Sequence, residues 1–226
     1  RQREYKPARV IGAGTAGTGK SRTIRAIVKR RRVRAKASGK RGAGVSQCCT
    51  LAAPTGCASF QMKHGATTAH RAFGVPAGGR FRPMRPGDRF RKLQARLRNS
   101  RLIVLDERSM IGRMFVGKIV SRVREFLGDG TGPPGTTLGG QDLLMIGDDK
   151  QCAPIGDEPQ YQEGAYAGKA KGVEDGPRPD ALVGMGLLLR DECEDVVLLR
   201  TVHRLDDGDP SMADDARAAY RAEGEK

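Results

Sequence analysis

The chain has 226 residues, with 41 Lys and Arg against 26 Asp and Glu and a formal net charge of +15 at pH 7. Hydrophobic residues make up 38%, aromatic residues 4%, and Trp is absent, which allows one large domain with a lean core. No apolar run is long enough to cross a bilayer, the polar start Arg1-Gln2-Arg3-Glu4 has no leader character, and no membrane partner is expected.

The first signal in the chain is also the strongest. Val10 and Ile11 end a short apolar run that reads as a buried strand, and Gly14-Thr15-Ala16-Gly17-Thr18-Gly19-Lys20-Ser21 follows it. This segment matches G-x-x-x-x-G-K-[ST] at every fixed position. The glycines let the backbone curl so that successive N–H groups point at a phosphate. Lys20 supplies a mobile charge for the terminal phosphates, and the Ser21 hydroxyl is a hard oxygen ligand for Mg2+. Ile24, Ile27 and Val28 then fall at helical spacing, so a helix over 21–35 should begin at the loop and add its dipole to the anion site. An ordinary glycine turn ahead of Lys-Ser is the bland alternative, and the strand before and helix after weigh against it.

That helix ends in Lys29-Arg30-Arg31-Arg32, which reads either as half of a bipartite nuclear signal running to Arg41 or as charge complementing a helix C-terminus. Residues 36–46, rich in Gly, Lys and Ser, read as a flexible surface connection. A second strand over 48–53 runs into Ala53-Pro54-Thr55-Gly56-Cys57-Ala58, where Pro54 stops the strand and Thr55 can cap a helix. Then comes Gly65-Ala66-Thr67-Thr68-Ala69-His70; His70 has no partner at metal-ligand spacing and is not expected to be a ligand. Residues 74–88 read as irregular loop. From Arg89, the positions Phe90, Leu93 and Leu97 form an apolar stripe on an Arg-rich helix.

Leu102-Ile103-Val104-Leu105-Asp106-Glu107 is the second strong signal: a buried strand with two acids at its carboxyl end, where ligands sit in open α/β sheets. Asp106 suits a Mg2+ site, and Glu107 can orient and deprotonate a water. A helix over 112–127 with Phe115, Ile119, Val123 and Phe126 on one face precedes a loop over 128–140. A further buried strand, 143–148, leads to Asp149-Lys150-Gln151, whose glutamine is placed to bond a terminal phosphate or the attacking water. Residues 156–180 read as a long loop, 182–189 as a short helix and 195–199 as the last strand, leading to His203-Arg204. The tail from Asp206 is acidic and polar, with a short helix expected over 213–222. Strand–loop–helix thus recurs about five times, which predicts a mainly parallel sheet covered by helices on both faces.

Charge is unevenly spread. Residues 1–100 carry 25 Lys and Arg against Glu4 and Asp88, whereas residues 101–226 carry 16 against 24 acids. The first half therefore suits a polyanion partner. The five cysteines, Cys48, Cys49, Cys57, Cys152 and Cys193, are odd in number and contain no C-x-x-C pair, so they read as small buried hydrophobes in a reducing compartment.

Taken together, these motifs resemble the first RecA-like motor domain of the PIF-type DNA helicases, close to the helicase portion of Helitron transposons in the RecD-like branch of superfamily one. The resemblance runs from about Val10 to Arg204 and rests on ordered segments: Gly14 to Ser21, the Pro54-Thr55-Gly56 stretch, Gly65 to His70, Asp106 to Met110, Gly139-Gly140, Gly147 to Gln151, and Leu199 to Arg204. It implies a P-loop NTPase fold of RecA type, with residues 1–205 as motor lobe and 206–226 leading to a second lobe outside the chain. It implies ATP and Mg2+ as cofactors. The loop from Gly14 to Ser21 would hold the nucleotide, Ser21 and Asp106 the metal, and Glu107, Lys20, Gln151 and Arg204 would be catalytic. Pro54, Thr55, Gly56, Thr67, Thr68 and His70 would touch single-stranded DNA. It further implies 5′→3′ unwinding, DNA junctions as substrates, roles in repair, recombination and telomere maintenance, and a nuclear or mitochondrial place of work. Cys57, Arg71, Arg108 and Cys152-Ala153 depart from the pattern of that family, and the upstream glutamine motif that reads adenine is missing or truncated. Two rivals remain: a non-hydrolysing nucleic-acid-binding relic of a helicase or mobile element, and a small-molecule P-loop kinase, for which no acceptor-binding lid is visible.

Overall fold

A computed structural model describes residues 6–78, 80–128, 137–162 and 176–202. Six strands form one parallel sheet: β1 (Arg9–Gly14), β2 (Cys49–Ala53), β3 (Thr67–Thr68), β4 (Leu102–Leu105), β5 (Asp142–Gly147) and β6 (Asp195–Leu199). Their order across the sheet is β3-β2-β4-β5-β1-β6, and every neighbouring pair is parallel. Among the described residues seven α-helices accompany them: α1 (Lys20–Ala37), α2 (Ala43–Ser46), α3 (Gly56–Met62), α4 (Ala69–Phe73), α5 (Asp88–Asn99), α6 (Arg113–Leu127) and α7 (Pro179–Asp191).

The inner strands β2, β4 and β5 are buried on both faces, whereas the edge strand β6 is largely exposed, and alternation along β4 and β5 sorts their side chains between two cores. Leu102, Val104, Leu144 and Ile146 join Ile24 and Val28 of α1 and Met62 of α3. Ile103, Leu105, Leu143 and Met145 face the other way, into a larger core built by α4, α5, α6 and α7. A one-residue slip of β4 or β5 would exchange these two sets, so the register is firmly fixed. The predicted layering, helices on both faces of a parallel sheet, is therefore what forms.

Several local expectations change. Residues 36–46 are not a free connection: α1 continues to Ala37 because Arg, Lys and Ala are strong helix formers, and α2 follows after Gly39 (φ +79°) turns the chain. Thr67 and Thr68 add a short sixth strand beside β2, and the Thr68 hydroxyl accepts from the Arg71 N–H to cap α4. Helix α6 is buried on far more than one stripe, since α7 packs across it so closely that Gly117 meets the Leu182 backbone and Gly186 meets that of Arg113. The cysteines divide: Cys48 and Cys49 are buried in β2 and its approach, whereas Cys57 and Cys152 are exposed. The middle of the 156–180 loop, most of the 128–140 loop and the tail from His203, with its expected helix, lie outside the described residues. No described helix is long and apolar enough to cross a membrane.

Candidate nucleotide site

Because all strands run the same way, β1, β4 and β5 end on one edge of the sheet, and each delivers a piece of the site there. β1 opens into the glycine loop. Gly17 and Gly19 adopt φ of +85° and +87°, a left-handed geometry that an L side chain resists, so both of these turns of the loop favour glycine. Gly14 is fixed for a different reason: a β-carbon there would lie 2.5 Å from the Thr18 hydroxyl and 2.9 Å from Leu199 of β6. Thr18 closes the loop, its hydroxyl donating to the Thr15 carbonyl at 2.8 Å. Lys20, the first residue of α1, folds its ammonium back over the loop, donating to the carbonyls of Gly14 (2.7 Å) and Thr15 (2.9 Å). Ser21 follows in the first turn of α1, where no side chain caps the helix and its N–H groups face the loop.

β5 lies between β1 and β4, so the loop and the Asp106 end of β4 are two strand spacings apart, about 10 Å. Asp106 is only 5% exposed. Burial pushes its carboxyl up to about 6; the Glu107 N–H, donating to its Oδ1 at 3.0 Å, counters this, the Glu107 charge adds to it, and the Lys20 charge pulls it down. Lys20 and Asp106 therefore share one local field, as a nucleotide–metal site requires. The buried Asp106 carboxylate and the Ser21 hydroxyl supply hard oxygens of the kind Mg2+ takes. Among the described residues no group of three or more His, Cys, Asp and Glu could hold a metal, so these two oxygens would share the ion with phosphate and water.

Glu107 stands in the left-handed region (φ +52°), which is uncommon outside glycine and turns its partly exposed side chain away from the strand direction. The backbone of Glu107 and Arg108 packs on the end of β5 so tightly that a β-carbon on Gly147 would lie 2.7 Å from the Arg108 nitrogen. Just beyond, the Asp148 carboxylate accepts from the Lys150 N–H (3.1 Å), and its carbonyl accepts from the Gln151 N–H (3.1 Å). That turn presents an exposed Gln151 at the same edge. The Arg108 guanidinium, 10% exposed, donates to Asp149 and ties the two strand ends together. This clamp was invisible in sequence, where Arg108 was only an atypical residue; its partner lies 41 positions away.

The β3–β2 side of the same edge carries the second group of candidates. Thr55 caps α3 by accepting from the Ala58 N–H at 3.2 Å, with Pro54 and Gly56 on either side. Thr67 and Thr68 end β3 next to it. His70 is partly internal: its Nδ1 donates to the Val75 carbonyl at 3.2 Å and its ring lies 4.6 Å from that of Phe115. The structure adds Phe60, 86% exposed on α3, one turn from Gly56. A solvent-facing Phe in so aromatic-poor a chain was the available signal. Arg204 lies outside the described residues, so Lys20, Ser21, Asp106, Glu107 and Gln151 are the candidates brought together here.

A glycine loop entering a helix, two acids on a neighbouring strand end and a parallel sheet between them define a P-loop nucleotide-binding domain of the RecA-like class. The chain belongs to the AAA domain family, whose model matches residues 2–157. Its fold is that of the first RecA-like domain of Pif1 helicases. Pif1 helicase from Candida albicans superposes with a TM-score of 0.55 at 21% identity, over 94% of this chain and 43% of that one. A double mutant of the Bacteroides Pif1 helicase gives 0.54 at 22% identity, over 88% and 39%. Bacteroides Pif1 in complex with ADP-AlF3 and ssDNA matches at 26% identity over 66% of this chain and 30% of that one, with a TM-score of 0.49. The chain spans about a third of the length of the Pif1 structures that match it first (30–32%). No curated protein matches it.

Proposed function

We propose that this chain is the first motor lobe of an ATP-dependent DNA helicase, residues 1–205, with 206–226 leading towards a second lobe. The observation that carries the reading is the convergence of Lys20, Ser21, Asp106, Glu107 and Gln151 on one sheet edge. Mg2+, shared by Ser21, Asp106 and the triphosphate, would neutralise charge on the transferred phosphoryl group. The chain's own groups do the rest. Loop N–H groups and the Lys20 ammonium, redirected from its two carbonyls, hold the phosphates. Glu107, turned out of the strand direction, takes the proton of the attacking water, and Gln151 orients that water against the terminal phosphate. Arg204 supplies further positive charge after β6.

Single-stranded DNA would cross the Pro54–Gly56 and Thr67–His70 end of the edge, with Phe60 stacking on a base. Movement along DNA needs the second lobe to close on the nucleotide, and the family resemblance supports 5′→3′ travel, forked or junction substrates and a nuclear or mitochondrial location. The test is DNA-stimulated phosphate release by the full-length protein. Lys20→Ala should abolish nucleotide binding, whereas Glu107→Gln should keep binding and lower turnover by about 100-fold or more. Unchanged release in both variants would refute the enzyme reading and favour a nucleic-acid-binding relic.

A further inference from the structure

Helix α1 runs antiparallel to the strands, from the glycine loop to the opposite edge of the sheet, where Arg31 pairs with Asp142 at the start of β5. Its eighteen residues span about 27 Å, so its last turns stand far from the nucleotide site. There, α1, α2 and His64 after α3 enclose a groove of about 920 Å3. Five cations line it: Lys29, Arg32, Lys36, Lys40 and Arg41. Among the described residues, Lys29, Lys36, Lys40 and Arg41 form no ion pair, and the acid that does reach α1, Asp142, is taken by Arg31 and the Ala8 N–H. The Arg32 guanidinium donates to the His64 carbonyl (2.8 Å) and to its Nδ1 (3.2 Å). Since guanidinium cannot accept, His64 is held as the neutral tautomer with its proton on Nε2. Burial, followed by Arg32, Arg25 and Lys63, lowers its basicity in keeping with that.

We infer that this groove is a second nucleic-acid site, one that grips the phosphate backbone on the edge opposite the nucleotide. The arrangement selects the ligand. Lys29, Arg32 and Lys36 follow one helix face at steps of three and four residues, about 4.5–6 Å apart along the axis, and Lys40 and Arg41 continue the row past the helix end. A row of charges matches a repeating phosphodiester chain; a single phosphate group would need the cations to converge on one point. Val33 and Val45 in its lining give sugar and base faces an apolar contact. A membrane surface is a poorer match, because among the groove's residues only Val33 is a large exposed apolar side chain. The C-terminal dipole of α1 opposes an anion here, but Arg34 and Lys36 in its last turn offset it and the remaining cations outweigh it.

The inference does not rest on ATP turnover: a chain that binds through this groove and never hydrolyses ATP would refute the proposed function and leave the groove standing. The test is fluorescence anisotropy of the chain, without nucleotide, on a labelled 20-nucleotide single strand and on its duplex, across a salt series. In the Lys29→Ala/Lys36→Ala/Lys40→Ala variant the slope of log affinity against log salt should become shallower by about 2 on the single strand, three phosphates at about 0.7 each. Lysine acetylation of the unaltered chain gives a reading that does not depend on how the variant folds: DNA should slow modification of Lys29, Lys36 and Lys40. An unchanged salt slope with no protection would overturn the inference. So would equal protection by polyglutamate of matched charge, which would make the groove a site for an acidic protein segment.

Discussion

Asp106→Asn separates what the site needs from what the fold prefers. The Asn side chain has nearly the same shape, and its Oδ1 can still accept from the Glu107 N–H, which now stands at 3.0 Å. What it removes is a charge held almost out of water. The carboxyl ionises at 3.8 in the unfolded chain and at about 6 in the folded one. The folded state thus binds the proton more tightly. Stability from this group is greatest below pH 3.8, declines as pH rises to about 6, and is flat above that. At pH 7.5 the penalty is on the order of 3 kcal/mol. The new Asn NH2 group needs a partner and returns part of that, so a net gain of about 1–3 kcal/mol is expected. Urea unfolding in magnesium-free buffer should show the Asn variant more stable than the parent at pH 7.5 and the gain largely gone at pH 4. Saturating Mg2+ and ATP should then stabilise the parent more than the variant, because only the parent gains a cation beside its carboxylate. A variant that is less stable by the same margin at both pH values would refute the reasoning, since the charge would then carry no burial cost.

Three further substitutions test the frame around the site. Gly117→Ala forces a methyl into the Leu182 backbone where α6 meets α7, and should cost about 1–3 kcal/mol or more, read as a drop in thermal midpoint; Gly184→Ala, on the same α7 but facing open space, should instead stabilise by about 0.5–1 kcal/mol. Arg108→Ala releases Asp149 and with it the turn that carries Gln151. In the full-length protein kcat for DNA-stimulated ATP hydrolysis should fall roughly tenfold with KM for ATP little changed, because orientation is lost and phosphate binding is not; an unchanged kcat would make the clamp merely structural.

The parts of the fold that could be read in advance were those whose signal is local. The loop from Gly14 to Ser21 carries its backbone requirement in its glycines, and the four-residue apolar run before Asp106 has no other comfortable place than a buried strand. The misread parts depend on distant partners or on lengths too short for a period. Thr67-Thr68 is a strand only because β2 lies beside it. Residues 36–46 looked like surface connection because Gly, Lys and Ser dominate there, although α1 runs on to Ala37 and α2 forms over Ala43–Ser46. Arg113 and Arg122 sit 1% and 3% exposed on α6, which no reading of a charged helix would suggest. Each is tolerable because an acid arrives from elsewhere: Glu158 from 45 residues away and Glu125 from the next turn, with the Arg122 guanidinium 4.6 Å over the Phe81 ring.

Buried and anchoring ion pairs also account for part of the uneven charge of the chain. Acids of the second half do not simply neutralise the basic first half. They are spent where a cation must be buried or a strand end anchored, as Glu192 with Arg9 (3.1 Å) and Asp142 with Arg31. Arginine suits those buried positions, being always charged and well shaped for carboxylates. The cations left over lie on several elements, and two groups of them follow helix faces. One group of them lines the groove face of α1, and another lies on α5, where Arg89, Lys92 and Arg98 are exposed. A basic surface selected only for solubility would not need its rows aligned with helix faces, nor an open groove between two of its helices. The arrangement is instead what a polyanion partner would select, and it places that partner on elements that also carry the nucleotide loop. Because α1 begins at the loop and ends in the groove, the two sites are joined by one rigid helix.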